Sequence, residues 1–105
     1  MKIEFSRTGG VAGMRLTATL DTEMLPREEA ERLRRLIVSA ALFALPASLK
    51  SATPRPDQFQ YRVAIEDGTR VKKVEMDEPS IPETFQPLLD YLIDSARAAQ
   101  RKKRS

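Results

Sequence analysis

The segment Phe59-Gln60-Tyr61-Arg62-Val63-Ala64-Ile65-Glu66-Asp67-Gly68 decides the fold, because it spells out a strand and the turn that ends it. Phe59, Tyr61, Val63 and Ile65 alternate with Gln58, Gln60, Arg62, Ala64 and Glu66, so the strand has one apolar and one polar face. Asp67-Gly68 is a two-residue hairpin signal, since glycine accepts a positive φ at no steric cost. The return strand runs from Thr69 to about Met76. A strict turn pairs Ile65 with Arg70, Val63 with Lys72, Tyr61 with Val74 and Phe59 with Met76. The stems of Arg70 and Lys72 then lie along one apolar sheet end with their charged heads in water. A one-residue bulge would bring Val71 opposite Ile65, but only with a second irregularity further on.

A second hairpin is written at the start of the chain. Ile3 and Phe5 alternate with Lys2, Glu4 and Ser6, and Met14, Leu16, Ala18 and Leu20 alternate with Arg15, Thr17, Thr19 and Asp21. Strands over 2–7 and 14–21 follow, each with one wet face. Between them, Thr8-Gly9-Gly10-Val11-Ala12-Gly13 holds three of the four glycines. It is either a structural hairpin loop or a protruding recognition loop, and a shorter turn would have closed the hairpin more simply.

Two amphipathic helices supply the cover both hairpins need. The first begins near Pro26, a residue suited to a first helical turn, with Glu28, Glu29 and Glu31 at its positive end. Its apolar stripe is Ala30, Leu33, Leu36, Ile37, Ala40, Ala41 and Ala44, and Pro46 stops it. Val38, Leu42, Phe43 and Leu45 widen that surface, either beneath a loop or as a partner surface. Residues 46–57, with three prolines, read as an extended connection in which Leu49 is an anchor. Ser80-Ile81-Pro82-Glu83 has capping-box spacing for the last helix, whose stripe is Phe85, Leu88, Leu89, Leu92, Ile93 and Ala96. Pro87 disagrees with a helix running from Ser80, and makes 81–86 a candidate separate turn. The helix is expected to fray after Ala99.

The expected fold class is therefore α+β: a four-stranded antiparallel sheet with two helices on one face, in the order ββαββα. One domain spans 1–100, and 101–105 is a basic disordered tail. A chain of 105 residues has room for one hydrophobic core.

Composition removes whole classes of chemistry. There is no Cys and no His, so disulfides, thiolate nucleophiles and imidazole bases are excluded. Asp67, Asp77 and Glu78 fall in turns, Glu28, Glu29 and Glu31 start a helix, and Asp90 and Asp94 lie on a wet helix side, so all read as solvated charges and caps. No Lys-Ser/Thr pair follows the glycines, as a phosphate loop requires. The net charge of +3 comes from 18 basic and 15 acidic residues, and 101–104 supplies four of the basic ones. Without that tail the chain is slightly acidic, so specific nucleic-acid binding is not expected. Nor is a membrane span, and the start of the chain has no apolar run of the signal-peptide kind. With no Cys, a cytoplasmic location is the expectation.

Taken together, Ile3-Glu4-Phe5, the run from Arg7 through Gly13, a helix, the Asp67-Gly68 hairpin and the closing Pro82-Glu83 and Pro87-Leu88-Leu89-Asp90 with Leu92 resemble the emfourin family. The resemblance spans nearly the whole chain, and its most specific part is the glycine loop with its flanking Arg. Family members tend to carry Ser and an aromatic where Thr8 and Val11 stand here. The resemblance implies a small bacterial inhibitor of protealysin-like, thermolysin-related zinc peptidases, with no cofactor of its own and the zinc belonging to the peptidase. The inhibitor's contacts would come from Arg7, Thr8, Gly9, Gly10, Val11, Ala12, Gly13 and Arg15, the two arginines steering toward an acidic cleft. An exposed loop also implies that Gly10→Trp harms inhibition far more than stability. The alternative is a protein-interaction or weakly homodimeric module using the Val38, Leu42, Phe43 and Leu45 surface.

Overall fold

A computed structural model describes residues 1–10, 15–52 and 57–104, with side chains through Arg101. Its strands are β1 (Lys2–Gly9), β2 (Leu16–Asp21), β3 (Ser48–Leu49), β4 (Phe59–Asp67) and β5 (Arg70–Asp77), and its helices are α1 (Arg27–Ala40) and α2 (Gln86–Arg104). They form one five-stranded mixed sheet in the order β2-β1-β4-β5-β3. The expected antiparallel sheet of four strands is thus one strand short. β3 pairs parallel with β5 through Ser48↔Glu75 and Leu49↔Met76, and the Glu75 N–H donates to the Ala47 carbonyl at 2.9 Å. Two residues are too few to show alternation, and the surrounding prolines mask them as a loop. Leu49 does pack against the core.

Alternation decides the layers. Ile3 and Phe5, Leu16 and Ala18, Tyr61, Val63 and Ile65, and Val74 and Met76 share one buried face, joined in a single core to Leu33, Ile37 and Ala40 of α1 and Leu88, Leu89, Leu92 and Ala96 of α2. The opposite face is polar. Tyr91 ties the helices together by donating to Glu29 Oε2 at 2.9 Å, and burial first, then that bond, push its phenol up to about 12.

The β4–β5 register is displaced by one residue along each strand. Asp67 faces Arg70, Ile65 faces Lys72, Val63 faces Val74 and Tyr61 faces Met76, so the turn residues are Gly68 and Thr69. Gly68 has φ +63 and Thr69 does not take a positive φ, the sign pattern of a type II′ turn. That turn needs one left-handed residue, whereas centring the turn on Asp67-Gly68 in type I′ would force Asp67 there as well. The displacement keeps every side chain on its expected face. Lys72 is half-buried beside Ile65, and the Arg70 guanidinium lies 4.2 Å over the Phe43 ring.

α1 ends at Ala40, well before Pro46. Ala41 takes φ +51, donating its N–H to Val38, and a short 3-10 turn over Leu42–Ala44 follows. A continued helix would carry Leu42 off the buried stripe; the left-handed residue turns the chain so that Leu42 is 1% exposed. An exposed alanine there is strained. Ala41→Gly is expected to add about 0.5–1 kcal/mol, raising the melting temperature by about 4 °C in calorimetry.

The capping box does not form. Ile81 is extended, as the residue before a proline prefers, and Glu83–Phe85 make a separate 3-10 turn that buries Phe85 completely. α2 starts only at Gln86, which puts Pro87 in its first turn. The α2 backbone is helical through Arg104. Ala, Gln, Lys and Arg all favour helix, and basic residues suit its negative end.

Candidate functional site

Among the described residues, the glycine-rich segment starts from a stem paired on one side only. β1 pairs with β2 as far as Arg7↔Leu16, but with β4 as far as Gly9↔Phe59. Thr8 and Gly9 therefore run past the last β1–β2 pair while still hydrogen-bonded into the sheet. The chain then bends, with Gly9 at φ +92 and Gly10 at φ +78. A Cβ on Gly9 would stand 2.6 Å from the Gln58 carbonyl oxygen, and one on Gly10 2.7 Å from Phe59 Cε1. Both positions need glycine for backbone angle, and Gly9 also for space, since its obstacle is backbone while that of Gly10 is a side-chain ring.

Phe59 supports this stem. Its ring carries the Arg7 guanidinium at 4.2 Å and stands 6.3 Å from Tyr61, which stacks in turn on Phe5 at 6.4 Å. The Phe59 N–H donates to Glu78 Oε1 at 3.3 Å. Burial pushes the Tyr61 phenol up, against the pull of the neighbouring Arg7. Arg7 thus serves as a lid on the aromatic row, and cation–π contact fixes its position.

The two expected steering arginines do not converge. Arg7 shares the helical face with Ile3 and Phe5, opposite Leu16 and Tyr61, while the exposed Arg15 lies on the open face. There it meets Arg62, expected on the same face, and Lys50, which the sequence did not place there. A groove of about 410 Å³ is lined by Ser6, Thr8, Arg15, Lys50, Gln60 and Arg62, with Glu75 at its wall. Glu75 accepts from Arg62 at 2.8 Å and Lys50 at 3.3 Å, and the Lys50 contact, then the Arg62 charge, hold its carboxyl below the usual range. Arg62 was legible on the polar side of β4. Lys50 was not, because its place depends on β3. Val11, Ala12 and Gly13 lie outside the described residues.

The family model for Emfourin matches residues 5–93, a span that takes in this stem and nearly all of the fold. The chain belongs to the emfourin family. Membership implies a protease-inhibitor role in general, and the family is one of inhibitors rather than enzymes. No curated protein and no solved structure matches the chain.

Several groups in this emfourin stand elsewhere than expected. Gly10 is half-buried against Phe59, so Gly10→Trp strains the stem as well as the loop. Asp77 is no solvated turn residue but the buried end of β5, with Oδ2 accepting from the Ser51 N–H at 2.7 Å and the Ser51 hydroxyl at 2.6 Å. Those bonds, and then Ser80, hold its carboxyl below the usual carboxylate value, although Oδ1 completes no hydrogen bond among the described residues. The apolar surface of the alternative reading keeps a groove of about 370 Å³ lined by Ile37, Val38, Leu42, Phe43 and Arg70. Leu42 is buried, Phe43 and Leu45 are half-buried, and of the four only Val38 stands fully in water. Among the described residues no cluster of acidic side chains has the makings of a metal site, and no helix is long and apolar enough to cross a membrane.

Proposed function

We propose that this emfourin inhibits a thermolysin- or protealysin-like zinc metallopeptidase by occupying its active-site cleft with the segment from Arg7 to Gly13. The zinc is the peptidase's, and the inhibitor contributes main-chain donors and acceptors rather than chemistry. The observation that carries this reading is the stem itself: Gly9 and Gly10 turn the chain at positive φ while β4 and the Phe59 ring hold it. A stem held in this way loses little conformational freedom on docking, and that loss is a main cost of association. An interface of about 800 Å² per partner is within reach of such a projection and its flanks. On the open side, Arg15, Lys50 and Arg62 outnumber Glu75, which suits an acidic rim and raises the encounter rate.

Titration of the pure protein into a thermolysin-like peptidase should abolish activity at an equimolar ratio. An unchanged rate at large excess would reject the assignment. Competition separates the cleft from other surfaces: a small zinc-chelating inhibitor bound first should block the complex, and simultaneous binding of both would place the contact outside the cleft.

A further inference from the structure

The two edges of the sheet are built differently. β3 is two residues long, a length that offers a partner strand almost nothing. β2 is a full edge strand, and from Leu16 through Leu20 it carries no charge and no proline. Its register with β1 runs from Lys2↔Asp21 to Arg7↔Leu16 without a bulge. Between Leu16 and Leu20, charge, proline and bulge, the devices that normally keep an edge from pairing, are missing.

The ladder shows which backbone groups are available. Thr22 donates its N–H to the Met1 carbonyl at 2.9 Å, so that pair is a hydrogen-bonded one. Such pairs alternate along an antiparallel ladder, so Leu16, Ala18 and Leu20 direct their backbone groups to β1. Thr17, Thr19 and Asp21 direct theirs away from the sheet. The Asp21 carbonyl accepts from Met24, while the outward groups of Thr17 and Thr19 have no partner among the described residues.

We infer that β2 is a homodimerisation edge, on which the β2 strand of a second copy pairs antiparallel about a two-fold axis through Ala18. In that register Thr17 exchanges hydrogen bonds with the partner's Thr19, Leu16 lies beside the partner's Leu20, and Arg15 meets the partner's Asp21. Symmetry repeats each contact. At the axis, Ala18 faces its own copy in a non-hydrogen-bonded pair, where side chains come closest and a small residue fits. Centring instead on Thr17 or Thr19 leaves a charge without its opposite, so charge selects the Ala18 register. The strand is its own complement. The surface is distinct from the one around Val38, and the inference does not depend on the inhibitor reading. A paired edge buries less than a standard interface, so a dissociation constant on the order of 10–100 µM is expected.

Sedimentation equilibrium on the full chain from about 1 µM to about 1 mM, a range that brackets such affinities, should show a monomer–dimer transition. Thr19→Pro removes an outward N–H without touching the β1 ladder and should weaken dimerisation by about tenfold or more. Arg15→Asp should weaken it similarly by opposing the partner's Asp21, and adding Asp21→Arg should restore it. A monomer throughout the range would overturn the inference, as would a dimer indifferent to both Arg15→Asp and the charge exchange. Should Thr19→Pro fail to fold, the charge-reversal pair decides alone.

Discussion

Gly9→Ala is expected to cost about 3 kcal/mol, roughly twice the penalty for Gly10→Ala, although the two glycines are neighbours in one loop. Both sit at positive φ, where an L side chain costs about 1–2 kcal/mol. They differ in what the new methyl meets. At Gly9 it meets the Gln58 carbonyl oxygen at 2.6 Å, a backbone atom that cannot retreat without breaking the Gly9↔Phe59 pairing. At Gly10 it meets the edge of the Phe59 ring at 2.7 Å, and a half-exposed ring can swing aside. Urea denaturation of the two variants measures the difference. Equal losses would mean that the stem is not pinned by β4 in the way described. Under the proposed inhibitor reading, both variants should also weaken inhibition, Gly10→Ala by more than its stability loss explains, because it moves the Phe59 support from beneath the loop.

Removal of the Asp77 carboxylate should lower the melting temperature by on the order of 10 °C, because Asp77→Ala leaves the Ser51 N–H and hydroxyl without their acceptor. The effect reaches beyond one contact. Asp77 closes β5, and Ser51 follows β3 and Lys50, so this carboxylate fastens the connection that brings Lys50 to the open face. The pH dependence has a definite sign. The hydrogen bonds from Ser51, and then the neighbouring Ser80, hold the folded carboxyl below its ordinary value, so ionisation favours the folded state. That contribution is complete above the usual carboxylate pKa of about 4 and is lost as pH falls through the lower folded value. Asp77→Asn should therefore be less stable than the parent at neutral pH and converge on it in acid. A gap between the two that does not shrink below about pH 4 would contradict the assignment.

Asp77 also illustrates the limits of reading a carboxylate from sequence. It lies next to Glu78 and near prolines, a setting that normally marks a wet turn. Only the parallel pairing of Ser48 and Leu49 with β5 brings the 50–52 segment over it and removes the water. Lys50 was hidden for the same reason. Arg7 is a different case: alternation with Ile3 and Phe5 puts it on the apolar face, where a charge needs a special partner. The aromatic Phe59 settles the conflict by covering the guanidinium's flat side.

The separation of inner and outer faces on β1, β2, β4 and β5 and the existence of both helices were determined by the sequence, because each rests on a period of two or 3.6 sustained over many residues, while the family was legible through the resemblance carried by the Arg7–Gly13 run and the closing Pro82–Leu92 segment. The need for glycine at positions 9 and 10 was legible as a density of glycines. What only the tertiary structure decided are features one or two residues long: the β3 pairing, the left-handed Ala41, the Gly68-Thr69 turn and the burial of Asp77. A pattern that short has no period to detect. Its conformation is chosen by contacts with segments distant in the chain, as Leu42 chooses the end of α1 by entering the core and Ser51 reaches Asp77 across 26 positions.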